Sequence, residues 1–349
     1  MHNLQLTEDQ TMIVDTVRKF VADGVAPHAQ ELDEHRTFVA DQFAGLAELG
    51  VFGLCIGEAS GGVGMGLLPF VAALEAIGAH SSSLARLWIG QVQCALLLET
   101  AGADVSDLLA GATLATFVGP EHGIVLDGGR LRGAARLVPA GGVAGMFVVA
   151  ATQAGAPVLV VVPGSDTKRS ELRALGLASA ACASVDFTGV AASPLASGAA
   201  ATTAMARAQL AGWIGVAATA VGGGQGAVLA AKKHAGERIA FGKPLLVQEA
   251  VQRKLVETRR AVDAARHLTW HAARLADLGT DAAEAALAAR VAAVDAMVAA
   301  ADEAIQIHGG FGYTVEYHVE RHYRDGKMLE VLDGGAEQQR QRLAALQLA

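Results

Sequence analysis

The sequence predicts a mostly α protein with a central β domain: helices first, strands in the middle, helices again. Two observations predict it. Apolar residues recur at helical spacing in the first third and again after about residue 198, and between them lie short β-favouring runs punctuated by Gly and Pro. A chain of 349 residues, 52% of them hydrophobic, can bury a large core and divide into two or three structural units.

Taken in order, Thr7 and Gln10 have capping-box spacing, and Ile13, Val17, Phe20 and Val21 then form one apolar stripe, so the chain opens on an amphipathic helix. Helical text continues through Phe43–Leu49, Leu67–Ile77 and Ile89–Leu98, making residues 1–112 a helical domain. From Thr113 to Ser197 the texture changes. Met146–Ala151 and Val158–Val162 read as strands, Gly128-Gly129 and Gly141-Gly142 as turns, and residues 113–197 as a middle β domain. Long Ala-rich helices return in residues 198–349, including Asp281–Gln306, which His308 and Gly309-Gly310 stop. Ala208–Ala231 carries no charge and is long enough to cross a bilayer. Its many glycines and few large aliphatics predict a buried central helix and no membrane span.

Lys and Arg number 27 against 35 Asp and Glu, a net charge of -8 with no polybasic cluster, which argues against nucleic acid or an anionic membrane as partner. Cys55, Cys94 and Cys182 are too few and scattered for a disulfide framework or a zinc ribbon and read as reduced core residues. Met1-His2-Asn3-Leu4-Gln5 has neither a basic nor an apolar leader segment, so a cytoplasmic location is expected. His318 and His322 are four residues apart, yet not in the order of His-Glu-x-x-His zinc enzymes, and no metal is expected. Gly222-Gly223-Gly224-Gln225-Gly226 lacks the preceding strand of a nucleotide loop and reads as close helix packing.

Two blocks carry a family likeness. The first runs from Gln306-Ile307-His308-Gly309-Gly310-Phe311-Gly312-Tyr313-Thr314 through Arg324-Asp325 to Asp333-Gly334-Gly335-Ala336-Glu337-Gln338-Gln339-Arg340. The second is Glu237-Arg238-Ile239-Ala240-Phe241-Gly242-Lys243-Pro244-Leu245, followed by Ala250-Val251-Gln252. In this order and spacing they resemble the C-terminal half of the flavin-dependent acyl-CoA dehydrogenases. Looser agreement in Leu6–Gln10, Leu46–Gly50 and Glu58–Gly64 extends the likeness over nearly the whole chain outside the β domain. The resemblance implies an N-terminal helical domain, a small β-barrel-like domain and a C-terminal four-helix bundle, with FAD as cofactor. It also implies an acyl-CoA substrate, an electron-transferring flavoprotein as acceptor, and a homotetramer or a heterotetramer with a paralogous subunit.

The same resemblance implies the chemistry. A carboxylate removes the α-proton of the thioester while the β-hydrogen leaves as hydride to flavin N5; the cofactor supplies the redox chemistry and the protein the positioning. One branch of the family places its base, normally Glu, where this chain has Asp333; the other branch uses a position near Ala211–Trp213, where no carboxylate occurs. Arg238 matches an Arg reaching the flavin pyrophosphate of a neighbouring subunit, a role suited to a guanidinium. Phe241 matches an aromatic beside the adenine. Gln306, Gly309 and Gly310 match residues whose backbone approaches the dinucleotide, and Glu249, Gly335 and Glu337 fall at further flavin positions.

The sequence also departs from the family. The loop that holds the flavin ring reads Phe117-Val118-Gly119-Pro120-Glu121-His122-Gly123, without the Ser-Asp, and the shielding Trp-Ile-Thr segment reads Arg136-Leu137-Val138-Pro139. Glu249 replaces a Gln, and Gly335 a Thr. What is lost lies mostly where a subunit holds its own flavin; what is kept lies mostly where it completes a neighbour's. Three functions therefore stay open: an acyl-CoA dehydrogenase with Asp333 as base, a subunit completing the FAD site of an active paralogue, and a nitroalkane-oxidase-like flavoenzyme.

Overall fold

The computed structural model describes residues 4–348; Met1–Asn3, part of the leader stretch considered above, and Ala349 lie outside the described residues. Six helices come first: α1 Glu8–Phe20, α2 Ala29–Glu34, α3 Ala40–Glu48, α4 Leu67–Gly78, α5 Ser82–Thr100 and α6 Ser106–Leu109. At the head of α1, Thr7 Oγ1 accepts from the Gln10 N–H at 3.2 Å and Gln10 Oε1 accepts from the Thr7 N–H at 3.0 Å, the reciprocal cap the spacing predicts. Both α4 and α5 are buried nearly throughout, and Trp88 of α5 meets Phe70 of α4 edge-on at 5.1 Å. The cap of α4 comes from far along the chain: Asp277 accepts from the Leu67 and Leu68 N–H groups at 2.6 and 3.1 Å.

Nine strands follow: β1 Ala115–Val118, β2 Ile124–Asp127, β3 Arg130–Arg132, β4 Ala134–Val138, β5 Met146–Gln153, β6 Ala156–Pro163, β7 Lys168–Glu171, β8 Ala183–Asp186 and β9 Pro194–Ser197. They form a six-stranded sheet ordered β3-β2-β5-β6-β9, with β1 on β5, and a three-stranded sheet ordered β4-β8-β7. The β5–β6 ladder runs from Met146 opposite Pro163 to Gln153 opposite Ala156, and β1 and β2 join β5 in parallel. Both glycines between β2 and β3, Gly128 and Gly129, have positive φ, as a two-residue hairpin needs.

The remaining helices are α7 Gly198–Glu237, α8 Glu249–Asp277, α9 Ala283–His308, α10 Val319–Val331 and α11 Gly335–Gln347, with a short hairpin of β10 Ile239–Ala240 and β11 Lys243–Pro244 between α7 and α8. The charge-free stretch lies inside α7, and 78% of its most apolar 18-residue window is buried, so it is core. A Cβ on Gly222 would stand 2.2 Å from the Glu75 carbonyl oxygen, so α4 and α7 cross backbone to backbone there, which accounts for the glycine run.

Polar contacts fix the β domain between the helical layers. Fully buried Gln91 donates to the Leu108 and Thr113 carbonyls and accepts from the Ala115 N–H, each at 2.8 Å, so α5 holds the start of β1. Beyond β7, the Leu177 N–H donates to buried Asp325 of α10 at 2.7 Å, and Arg36 donates to the Ala174 carbonyl at 2.9 Å. One loop of the β domain is thereby tied to both helical regions.

Candidate active site

Asp333 sits between α10 and α11 in left-handed conformation at φ 57°, followed by Gly334 at 96° and Gly335 at 84°. Three successive positive φ values reverse the chain within one turn, which Asp tolerates and Gly makes easy. The carboxylate lies between two guanidinium groups. Arg86 of α5 donates to Oδ1 at 3.0 Å, and Arg290 of α9 approaches Oδ2 at 3.3 Å. Arg290 also donates to the Leu332 carbonyl at 3.0 Å, and Gln339 donates to the Asp333 carbonyl, so side chain and backbone of the turn are both held.

The two Arg side chains are 5% and 3% exposed, whereas Asp333 keeps 29%. Burial pushes the Asp333 pKa up, but the Arg86 and Arg290 charges, the Arg86 hydrogen bond and His122 outweigh it and hold the carboxyl below the ordinary aspartate range. Asp333 is therefore a firmly ionised anion and a weakened base.

Across a cavity of about 300 Å³ from Asp333 lie Glu121 and His122 from the loop after β1, and Arg136 to Pro139 at the end of β4. Burial, then the Asp333 charge, raises the Glu121 pKa; burial lowers that of His122, with Asp333 opposing. Glu121 and His122 approach to 3.6 Å. The cavity thus joins the Asp333 turn to the two segments in which the sequence departs from the family it resembles.

The other predicted residues fall into two groups. Gly335 and exposed Glu337 open α11 beside Asp333. Arg238, Phe241, Glu249, Gln306, Gly309 and Gly310 lie at the α7–α8 connection and the end of α9, all exposed, Phe241 to 97%. A small second core, with Ala235 of α7, Leu245 and Leu246, Val251 of α8 and Ile305 of α9, gathers these elements at one end of the bundle. His234 stacks on His308 at 4.2 Å and ties the ends of α7 and α9. Gly309 caps α9, and a Cβ at Gly309 or Gly310 would meet nothing within 4 Å. From Arg290 to Gly309, α9 rises about 28 Å, so the two groups are held at opposite ends of one helix.

Glu121, His122 and Arg136 entered the sequence reading only as departures from a family pattern, and Arg86 and Arg290 did not enter it. Their signal is a charged residue inside an apolar run: Arg86 among Leu84–Val92, and Arg290 among Ala285–Ala293. Of the motifs set aside, His318 precedes α10 in left-handed conformation, so it does not share a helix with His322. His322 is buried, and burial lowers its pKa to about 3. Among the described residues no group of three His, Cys, Asp or Glu is placed to hold a metal. All three cysteines are free thiols whose pKa burial raises.

Comparison with known proteins agrees with this architecture. The acyl-CoA dehydrogenase N-terminal domain matches residues 7–105, and the acyl-CoA dehydrogenase C-terminal domain matches residues 202–348. The mitochondrial short-chain specific acyl-CoA dehydrogenase of Homo sapiens is 29% identical over 374 aligned positions, covering 97% of this chain and 90% of that protein. Butyryl-CoA dehydrogenase from Megasphaera elsdenii superposes with a TM-score of 0.91 at 24% identity over 100% of both chains. A chain of the ChsE4-ChsE5 complex from Mycobacterium tuberculosis superposes with a TM-score of 0.87 at 22% identity over 99% of each. The chain belongs to the acyl-CoA dehydrogenase family, a family of FAD-dependent oxidoreductases.

Proposed function

We propose that this chain is one subunit of an FAD-dependent acyl-CoA dehydrogenase of two different subunits, in which it completes the partner's flavin site and the partner supplies the base. The observation that carries the reading is the clamp of Arg86 and Arg290 on Asp333. A thioester α-proton is weakly acidic, and a base serves best when its pKa is raised toward the operating pH; this carboxyl is held the other way.

The residues toward the cofactor divide in the same sense. Arg238 is exposed, Phe241 stands free in solvent, and the Gly309-Gly310 backbone is open, a combination suited to a pyrophosphate and a stacked adenine arriving from outside. Around the Asp333 cavity, the hydroxyl and aromatic groups that the family uses for the ring are replaced by Glu121, His122 and Arg136. The dinucleotide end therefore fits FAD and the ring end does not. When bound, FAD accepts the hydride; this chain's residues bind and orient its adenine end. The acyl-CoA substrate and an electron-transferring flavoprotein as acceptor are part of the same proposal. The fold also occurs in a solved complex of two differently named proteins, as this assembly requires.

Flavin content tests it. The chain expressed alone is expected to purify without flavin, and the complex with its paralogue to carry about one FAD per two chains. One FAD per chain in the isolated homo-oligomer refutes the reading.

A second reading, with Asp333 as base in this chain's own site, is favoured by its position on the cavity and its 29% exposure. A carboxylate this acidic matches a carbon acid stronger than a thioester, such as a nitroalkane. Under that reading Asp333→Ala abolishes flavin reduction; an unchanged rate removes it.

A further inference from the structure

The clamp accounts for Asp333 but leaves an excess of positive charge. Arg86 and Arg136 line the cavity, Arg290 stands behind Asp333, and Arg342 bears electrostatically on Glu121 and Arg290. Against these four guanidinium groups stand two carboxyls, and one of them, Glu121, is pushed toward its neutral form by burial and by Asp333. Arg86, which lines the cavity, has a side chain more than nine-tenths buried, and its Nε is a buried donor without a hydrogen-bond partner. A buried guanidinium with an unused donor is satisfied by a planar anion. The cavity also has an apolar side, Phe117, Leu137, Val138 and Leu332, which a fully hydrated anion such as phosphate leaves unpaired.

We propose that this cavity binds a small carboxylate with a short hydrocarbon part, gripped by Arg86 and Arg136 and flanked by Glu121 and His122. Burial and the Asp333 charge push Glu121 toward the protonated form, whose O–H can donate to the ligand, and burial pushes His122 toward the neutral imidazole, which can donate from one ring nitrogen. The carboxylate has two possible sources, a free small acid or the far end of a dicarboxylic acyl-CoA. The assignment rests on the subunit reading only in that no flavin ring of this chain fills the same space.

The test is calorimetric titration of the purified chain, with its flavin content measured on the same sample, using succinate, succinyl-CoA, butyryl-CoA and inorganic phosphate. Saturable binding of succinate or succinyl-CoA, with phosphate and butyryl-CoA at least about tenfold weaker, is the expected result, and whichever carboxylate binds tighter names the source. Arg136→Gln, at an exposed position and so compatible with folding, weakens binding about tenfold, the loss of one charge-assisted hydrogen bond. Lys232→Gln, at an exposed position on α7, leaves it unchanged. Absence of saturable binding to a flavin-free chain overturns the carboxylate site and leaves the subunit reading standing. Binding unaffected by Arg136→Gln, or phosphate as tight as succinate, overturns it equally. A chain that purifies with full flavin yet binds succinate does the reverse.

Discussion

Replacing Asp333 by Asn removes one negative charge from between Arg86 and Arg290 and keeps the shape of the side chain. Removing one partner of a buried ion pair costs about 3–5 kcal/mol, because the other charge stays buried and uncompensated. Asp333 retains 29% exposure, so solvent screens part of that cost and about 2–3 kcal/mol is expected. At about 2–4 °C per kcal/mol for large domains, the melting temperature falls by about 4–12 °C. The effect has a definite pH dependence. The folded-state pKa of Asp333 lies below its unfolded value, so its stabilisation is present above the ordinary value of 3.8 and is lost as pH falls through the lower folded value. The gap between parent and variant is therefore constant from pH 7 to about 5 and closes on further acidification. Urea midpoints of both proteins across that range, with flavin reduction measured on the same preparations, decide the matter. An Asn variant as stable as the parent at pH 7, or a gap that does not narrow in acid, refutes the clamp. Intact stability with abolished flavin reduction makes Asp333 the base instead.

Three further outcomes follow from the packing and the buried charges. Gly222→Ala forces a methyl against the Glu75 carbonyl and destabilises by about 1–3 kcal/mol, whereas Gly236→Ala in the same helix, with nothing within 4 Å of the new Cβ, stabilises by about 0.5–1 kcal/mol; paired denaturation curves check both. Asp325 has its pKa raised to about 6 by burial and then by Asp33 of α2, with the Leu177 N–H and Arg321 and Arg324 opposing. Its contribution is present below its ordinary value of 3.8 and lost as pH rises through about 6, so the stability difference between parent and Asp325→Asn shrinks over that window, as urea titrations would show. Arg238→Ala lowers the flavin content of the two-subunit complex while the melting temperature of the isolated chain stays within about 1 °C, because the side chain is exposed; absorbance and calorimetry read the two separately.

The fold was legible where it is local. The Thr7–Gln10 cap, the strands around Met146 and Val158, and the stop at Gly309 are each set by neighbours a few residues away, so residue type and spacing suffice. Length and lack of charge make Ala208–Ala231 ambiguous between membrane and core; the glycine contacts with Glu75 and Ala79 resolve it, and they join residues far apart in sequence. The site shows the same division. Asp333 could be picked out by its place in a motif, and the turn it makes by the two glycines that follow. What determines its chemistry comes from Arg86, 247 residues earlier, and from Arg290 on another helix. Each reads in its own segment as a charge out of place. Only the tertiary fold, which brings Arg86 of α5 and Arg290 of α9 to the turn after α10, makes two misplaced charges and an acid into one ion-paired cluster. The residues expected at the dinucleotide end rest on motif position, and an exposed Arg and an open Gly-Gly depend on little but the local backbone.

The cap that Asp277 places on α4 reaches back 210 residues. At about 5–20 residues per second, the ribosome releases Leu67 roughly 10–40 s before it makes that carboxylate. Over most of that interval α4 and α5, buried nearly throughout in the folded protein, have no α7 to lie against. The N-terminal third of this protein can therefore reach its final form only after most of the chain has been made, and until then the surfaces that α7 covers stay open.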